Sequence, residues 1–200
     1  METGTISLPS LDQTEIARRP LVAESCVLAV VDIQEKLLPP IFNKQELVKN
    51  SQLLIRFAGI LHIPVLVSTQ YSKGLGQTVP EIASLLEGVS TFDKLEFSCF
   101  GKDEFCSAVK SLPGNRNTLL VCGMEAHICV MQTVLHGLER GYLVHVASDA
   151  VGSRSEWNWR VGLDRMRSAG AVISSTEMMM YELLRKSGTP AFKELLQYIR

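Results

Sequence analysis

The chain has 200 residues, of which 46% are hydrophobic and 20% charged, and its formal net charge is −1. This length fits one domain with a substantial core, and the lack of a basic excess argues against a nucleic-acid-binding protein. The five cysteines are an odd set without a CxxC pair, which argues against a disulfide framework or a zinc site.

The start of the chain has no apolar stretch of the kind found in secretory signals. A secretory signal is therefore not predicted. We expect residues 1–22 to be a loosely ordered leader and residues 23–200 to form one domain. No apolar run reaches the length that a membrane span needs. Together with the cysteine usage, these features predict a cytoplasmic protein, with an organelle or the nucleus left open.

Short apolar runs rich in Val and Leu alternate with helical patterns along the rest of the chain. Such runs are typical of strands buried on both faces of a sheet. We predict strands at residues 26–32, 65–69, 94–98, 118–122, 142–148 and 171–174. We predict helices at residues 44–61, 81–86, 102–112, 129–140, 155–169, 176–185 and 190–199. This alternation predicts an α/β fold with a parallel sheet covered on both faces.

Three chemically useful side chains fall beside the predicted strand ends, where ligands bind in parallel α/β sheets. Asp32 ends the first predicted strand, Lys94 lies beside the third, and Cys129 follows the fourth where a loop turns into a helix. The free N–H groups of a helix start favour a thiolate and can hold an oxyanion. A nearby lysine stabilises a thiolate further, and a carboxylate can act as general base.

Each of these residues also has a less specific interpretation. A free cysteine is usually a packing residue, an aspartate at a strand end often accepts loop N–H bonds, and a lysine is most often solvated. The remaining cysteines are interpreted as packing residues: Cys26, Cys99, Cys106 and Cys122. A nucleotide-binding function is disfavoured, because the chain contains no GxGxxG fingerprint.

Four segments together resemble the isochorismatase-like cysteine hydrolases: VVDIQ at 30–34, FDKLEFSCF at 92–100, VCGMEAHICV at 121–130 and VASDAVGSR at 146–154. The loop TQYSKGLGQTVPEI at 69–82 resembles the eukaryotic isochorismatase-domain-containing branch of that family. The resemblance implies a three-layer α/β/α, Rossmann-like fold. It also implies a mainly parallel six-stranded sheet of order 3-2-1-4-5-6.

The same resemblance implies a Cys-Lys-Asp catalytic triad. In this interpretation Cys129 attacks an amide or carbamoyl carbon and forms a thioester-like intermediate, Asp32 carries the proton, and Lys94 links the two. A cis peptide bond between Met124 and Glu125 is implied, with the N–H groups of Glu125 and Cys129 as the oxyanion hole. The implied pocket residues are Gln34, Tyr71, Phe97 and His127.

Two departures from related enzymes restrict the reaction. Nicotinamidases of this family carry an Asp-x-His metal site after the second strand, where this chain has QYS at 70–72. We therefore predict no metal and no other cofactor. True isochorismatases act on a vinyl ether and need no cysteine nucleophile, so Cys129 disfavours that reaction.

The resemblance also predicts the partners. They are a small-molecule substrate and further copies of the chain, in a dimer or tetramer. Charge and the lack of a long apolar run predict neither nucleic acid nor membrane as a partner. The alternative function is a catalytically silent binding or scaffold protein that keeps the fold.

Overall fold

The computed structural model describes residues 19–199 of the chain. Six strands form one sheet: β1 (Cys26–Val31), β2 (Val65–Gln70), β3 (Thr91–Lys94), β4 (Thr118–Met124), β5 (Leu143–Gly152) and β6 (Val172–Ser174). Their order is β3-β2-β1-β4-β5-β6, and every neighbouring pair is parallel. The predicted fold class and strand order are confirmed.

The longer helices of the described residues cover the sheet. They are α1 (Lys44–Ile60), α2 (Asp103–Ser111), α3 (Met131–Glu139), α4 (Glu156–Ser168), α5 (Thr176–Leu184) and α6 (Pro190–Leu195). One apolar core lies between the sheet and α1, α5 and α6, and a second lies between the sheet and α2, α3 and α4. These two cores on opposite faces make the three layers that the sequence predicted.

The two central strands explain the uninterrupted apolar runs in the sequence. Every residue of β1 and β4 is buried. Along β1 the side chains alternate between the two cores, with Leu28 and Val30 in one and Val27 and Ala29 in the other. Since both faces of the strand are buried, no position in it is left for a polar residue.

The third predicted strand is misplaced. It was expected at 94–98, but β3 ends at Lys94. Lys94 pairs with Gln70, the last residue of β2, so no neighbouring strand continues beyond it. Leu95 and Phe97 are instead 72% and 52% exposed. The apolar alternation of this segment belongs to an exposed turn.

Two helix boundaries also differ from the prediction. The helix expected at 81–86 is a single turn at Pro80–Ala83. The helix expected to start at residue 129 is preceded by a π-helical turn at Ala126–Val130. The loop between β4 and α3 is therefore shorter than predicted, and Cys129 lies within helical backbone.

The predicted leader, residues 1–22, falls for the most part outside the described residues. Leu21, which is described, is 2% exposed. Its N–H donates to Glu182 Oε1 over 2.8 Å, and Arg185 donates to its carbonyl over 2.6 Å. The domain boundary at residue 23 stays a prediction.

A membrane-spanning helix was not expected. Between residues 19 and 199, no helix has both the length and the apolar character that crossing a bilayer requires.

Candidate active site

The carboxyl ends of β1 and β4 come unusually close together. Val31 is in register with Gly123, and a Cβ added to Gly123 would lie 2.0 Å from the Val31 carbonyl oxygen. Gly123 also has a φ of 123°, which side-chain-bearing residues rarely adopt. Only glycine fits there, so the residues that follow the two strands, Asp32 and Glu125, are brought to one edge of the sheet.

Asp32 and Lys94 form an ion pair at this edge. Lys94 Nζ lies 2.6 Å from Asp32 Oδ2, and both side chains are completely buried. Ser68 Oγ donates to Asp32 Oδ1 over 2.7 Å, and Lys94 Nζ donates to Gln70 Oε1 over 2.8 Å. Burying two charges is costly unless geometry and hydrogen bonds compensate. Here two hydrogen bonds with neighbouring side chains, in addition to the one within the pair, hold both groups in place.

Cys129 lies in the π-helical turn and is 6% exposed. Burial raises the pKa of its thiol, and the Asp32 carboxylate raises it further through its charge and a side-chain hydrogen bond, while Lys94 lowers it. Burial and Asp32 outweigh Lys94, so the resting group is a neutral thiol. Lys94 lowers the pKa of the thiol, in the direction that the sequence predicts, while burial and Asp32 act in the opposite direction.

The segment before Cys129 has the cis peptide bond that the resemblance implied. The Met124–Glu125 peptide bond is cis. The N–H groups of Ile128 and Val130 both donate to the Glu125 carbonyl. The N–H of Cys129 lies between these two donors in the first turn, where N–H groups have few acceptors of their own.

Arg154 fixes the Glu125 side chain. Its backbone N and its Nε each donate to Glu125 Oε2 over 3.0 Å. The Glu125 side chain is 8% exposed, whereas that of Arg154 is 59% exposed. The second residue after β5 is thus tied to the first residue after β4.

The four predicted pocket residues divide into two pairs. Tyr71 and Phe97 are both half exposed and flank the end of β3, where the Tyr71 N–H donates to the Lys94 carbonyl. Their role as pocket residues stays a prediction.

Gln34 and His127 are more deeply placed. The Gln34 amide is used by backbone groups: Nε2 donates to the carbonyls of Gln70 and Gly76, and Oε1 accepts from the Gln70 N–H. Gln34 therefore supports a loop and leaves no polar group for a substrate. His127 Nδ1 lies 3.0 Å from Ser153 Oγ, and burial lowers its pKa, so the ring is neutral at physiological pH.

Three residues that surround the ion pair were not predicted from the sequence. Ser68 and Gln70 both contact it directly, and Cys99 Sγ lies 3.3 Å from Ser68 Oγ. Burial raises the pKa of the Cys99 thiol to about 11, so it is uncharged. The sequence did contain one indication of two of them. Ser68 and Gln70 are two residues apart at the end of the apolar strand β2, so both lie on the same face of the sheet.

The described residues contain no metal site of the usual kind. Among residues 19–199, no three or more His, Cys, Asp or Glu side chains are grouped so that they could hold a metal ion. All five cysteines are free thiols. The groups that meet at the site are a thiol, a carboxylate and an ammonium group.

The family model of the isochorismatase domain matches residues 26–178 of the chain. A secreted isochorismatase effector, Isc1, of Phytophthora sojae is 38% identical over 183 residues, covering 90% of this chain and 87% of that protein. The isochorismatase domain-containing protein 2 of Danio rerio is 37% identical over 175 residues, covering 88% and 87%.

Solved structures share the fold closely. The MAR1 ribonuclease of Caenorhabditis elegans has a TM-score of 0.84 and 37% identity, covering 90% of this chain and 92% of that one. The ycaC gene product of Escherichia coli, described as an octameric hydrolase of unknown specificity, has a TM-score of 0.83, 23% identity and 90% coverage of both chains. At that identity the second structure bears on the fold alone.

Proposed function

The chain belongs to the isochorismatase family, whose members are generally hydrolases, and we propose that it is a cysteine hydrolase acting on a small amide or carbamoyl compound. Cys129 is the nucleophile, Asp32 the general base and acid, and Lys94 the group that holds Asp32 ionised. The observation that carries the proposal is the fully buried Lys94–Asp32 pair beside the Cys129 thiol.

The first half of the reaction forms a thioester. Asp32 takes the thiol proton as Cys129 Sγ attacks the carbonyl carbon, and the electron pair of the C=O bond moves to oxygen. The N–H groups of Glu125 and Cys129 hold this oxyanion. When the carbon–nitrogen bond breaks, Asp32 passes its proton to the leaving amine.

The second half restores the enzyme. A water molecule attacks the thioester carbon while Asp32 accepts one of its protons. The bond to sulfur then breaks, the acid or carbamate leaves, and Asp32 returns the proton to Cys129 Sγ. A neutral resting thiol suits this sequence, because the thiolate is needed only as the new bond forms.

The nature of the substrate follows from charge. The chain has a net charge of −1 and no basic excess that would attract a polyanion. The nematode relative is named a ribonuclease, so RNA belongs in a substrate screen as a competing class. We expect small uncharged carbon–nitrogen compounds to be hydrolysed and RNA to be left intact.

The experiment is a screen of amides, carbamoyl compounds and a single-stranded RNA, with Cys129→Ala as control. Hydrolysis of one small compound that disappears in Cys129→Ala supports the proposal. RNA cleavage that persists in Cys129→Ala, or no turnover of any compound by a protein that binds one, favours the alternative functions.

We also propose that the chain forms a homo-oligomer, a dimer or tetramer. An exposed apolar patch on α5 supports this, because Met178 and Tyr181 are 59% and 44% exposed. Light scattering coupled to gel filtration measures the mass, and a monomer at micromolar concentration contradicts the proposal.

A further inference from the structure

The last residue of β2, Gln70, contacts the catalytic pair without being part of the proposed triad. Its Oε1 accepts from Lys94 Nζ over 2.8 Å, on an ammonium group that also donates to Asp32 over 2.6 Å. Lys94 therefore has one anionic acceptor and one neutral acceptor. The neutral acceptor needs an explanation, because it lies at a half-buried position beside the site and contacts a fully buried ammonium group.

The orientation of the Gln70 amide is fixed. Its Nε2 donates to the Leu95 carbonyl over 2.8 Å, so the oxygen end of the amide must face Lys94. The backbone is held equally firmly, since the Gln70 N–H donates to Gln34 Oε1 over 2.7 Å and the Gln70 carbonyl accepts from Gln34 Nε2 over 3.0 Å. A donor at this position would repel the ammonium group, and the surrounding contacts prevent the amide from turning.

A buried ion pair can relieve its charge by moving a proton from the ammonium group to the carboxylate. An amide oxygen aimed at Nζ opposes this transfer, since hydrogen bonding to a charged form favours that form. We propose that Gln70 is a positioning residue that keeps the proton on Lys94, so that Asp32 stays a carboxylate able to take the proton of Cys129. This inference rests on the proposed function.

The titratable groups around Lys94 come from three elements. Asp32 follows β1, Cys129 lies in the π-helical turn, and Cys99 lies in the 3-10 turn at Cys99–Gly101. Both thiols have raised pKa values because they are buried. Near neutral pH both thiols therefore keep their protons. The proton that Gln70 can affect is the one shared between Lys94 and Asp32.

The test compares Gln70→Met, which keeps the length but removes the acceptor, with Gln52→Met. Gln52 donates to the Glu81 carbonyl over 3.0 Å from an exposed position, so its variant loses a hydrogen bond remote from the site. Gln70→Glu restores an acceptor at the original position. The first readout is the NMR titration of Lys94 in protein carrying labelled lysine, which needs no substrate.

The second readout is the rate at which iodoacetamide labels Cys129, followed by mass spectrometry from pH 6 to 9. In Gln70→Met we expect Lys94 to lose its proton at lower pH than in the wild type. Labelling of Cys129 at pH 7 should slow about tenfold, because one hydrogen bond to a charged group contributes roughly the free energy of a tenfold change. Gln70→Glu should return the Lys94 titration to wild-type pH or above, and Gln52→Met should change neither readout.

An unchanged Lys94 titration in Gln70→Met overturns the inference, as does an equal change in Gln52→Met. If Gln70→Met does not fold, Gln70→Glu serves as the test. Titration of Lys94 at a lower pH in Gln70→Glu than in the wild type would contradict the proposed role. If Lys94 responds as expected but no substrate is hydrolysed, the role of Gln70 stands and the hydrolase proposal fails.

Discussion

Replacing Lys94 by Met removes the ammonium group and keeps most of the buried stem. The Lys94 and Asp32 side chains are 0% exposed and their charged atoms are 2.6 Å apart, so water cannot take over from the lost partner. Removing one partner of a buried pair costs about 3–5 kcal/mol. Ser68 still donates to Asp32 Oδ1, so we expect the lower end, about 3 kcal/mol of unfolding free energy.

A double variant separates the charge effect from lost packing. Lys94→Met combined with Asp32→Asn leaves no unpaired charge, so it should be more stable than Lys94→Met alone by about 2 kcal/mol. The matched control is Lys102→Met. Lys102 forms an exposed ion pair with Glu104 at 3.5 Å, and an exposed pair contributes less than about 1 kcal/mol.

Urea unfolding gives the free energies of five proteins: the wild type, Lys94→Met, Asp32→Asn, the double variant and Lys102→Met. In parallel, iodoacetamide labelling of Cys129 should slow in Lys94→Met and stay unchanged in Lys102→Met. The reasoning is refuted if Lys94→Met loses no more stability than Lys102→Met, or if the double variant is as unstable as the sum of its single variants.

Three further predictions concern the glycine contact, the buried thiols and metals. Gly123→Ala should lose about 3 kcal/mol of unfolding free energy or fail to fold, because of backbone strain and overpacking. A Cβ added to Gly59 meets nothing within 4 Å, so Gly59→Ala should gain up to about 1 kcal/mol. Urea unfolding measures both, and equal effects would contradict the close approach of β1 and β4. Burial raises the pKa of Cys26 and Cys122 from 9.0 to about 12, so the unfolded chain loses these protons first. Stability should then fall as pH rises from 9 towards 12, by up to about 1.4 kcal/mol per pH unit and thiol, and a double Cys→Ala variant with a slope as steep as the wild type would exclude this cause. A chelator should leave hydrolytic activity unchanged. A loss of activity that zinc restores would contradict the prediction that QYS at 70–72 holds no metal.

Much of the fold could be predicted because its strongest signals are local. The apolar runs of β1 and β4 have few alternatives to a doubly buried strand, and the long periodic pattern of α1 has few alternatives to a helix. The predicted position of β3 was wrong, because the strand has only four residues and lies at the edge of the sheet, where its local pattern is weak. Its end is decided by where β2 stops, which the sequence of β3 does not contain.

The candidate site was predictable in its identities and less so in its chemistry. Asp32, Lys94 and Cys129 could be proposed from strand ends and the resemblance. Their ionisation could not, because it depends on burial and on which oxygen faces which nitrogen. The contacts of Ser68 and Gln70 were missed for the same reason: both are common polar residues, and only the parallel pairing of β2 with β1 and β3 brings them to the ion pair.

The central claim is that Cys129 forms a covalent intermediate when Asp32 takes its proton. Intact-mass measurement after brief incubation with p-nitrophenyl acetate, followed by peptide mapping, tests this directly. The wild type should carry one acetyl group on Cys129, and Asp32→Asn should carry almost none over the same interval. Acetylation of Cys129 at equal rates in both proteins, or its absence while surface lysines are acetylated, would contradict the account.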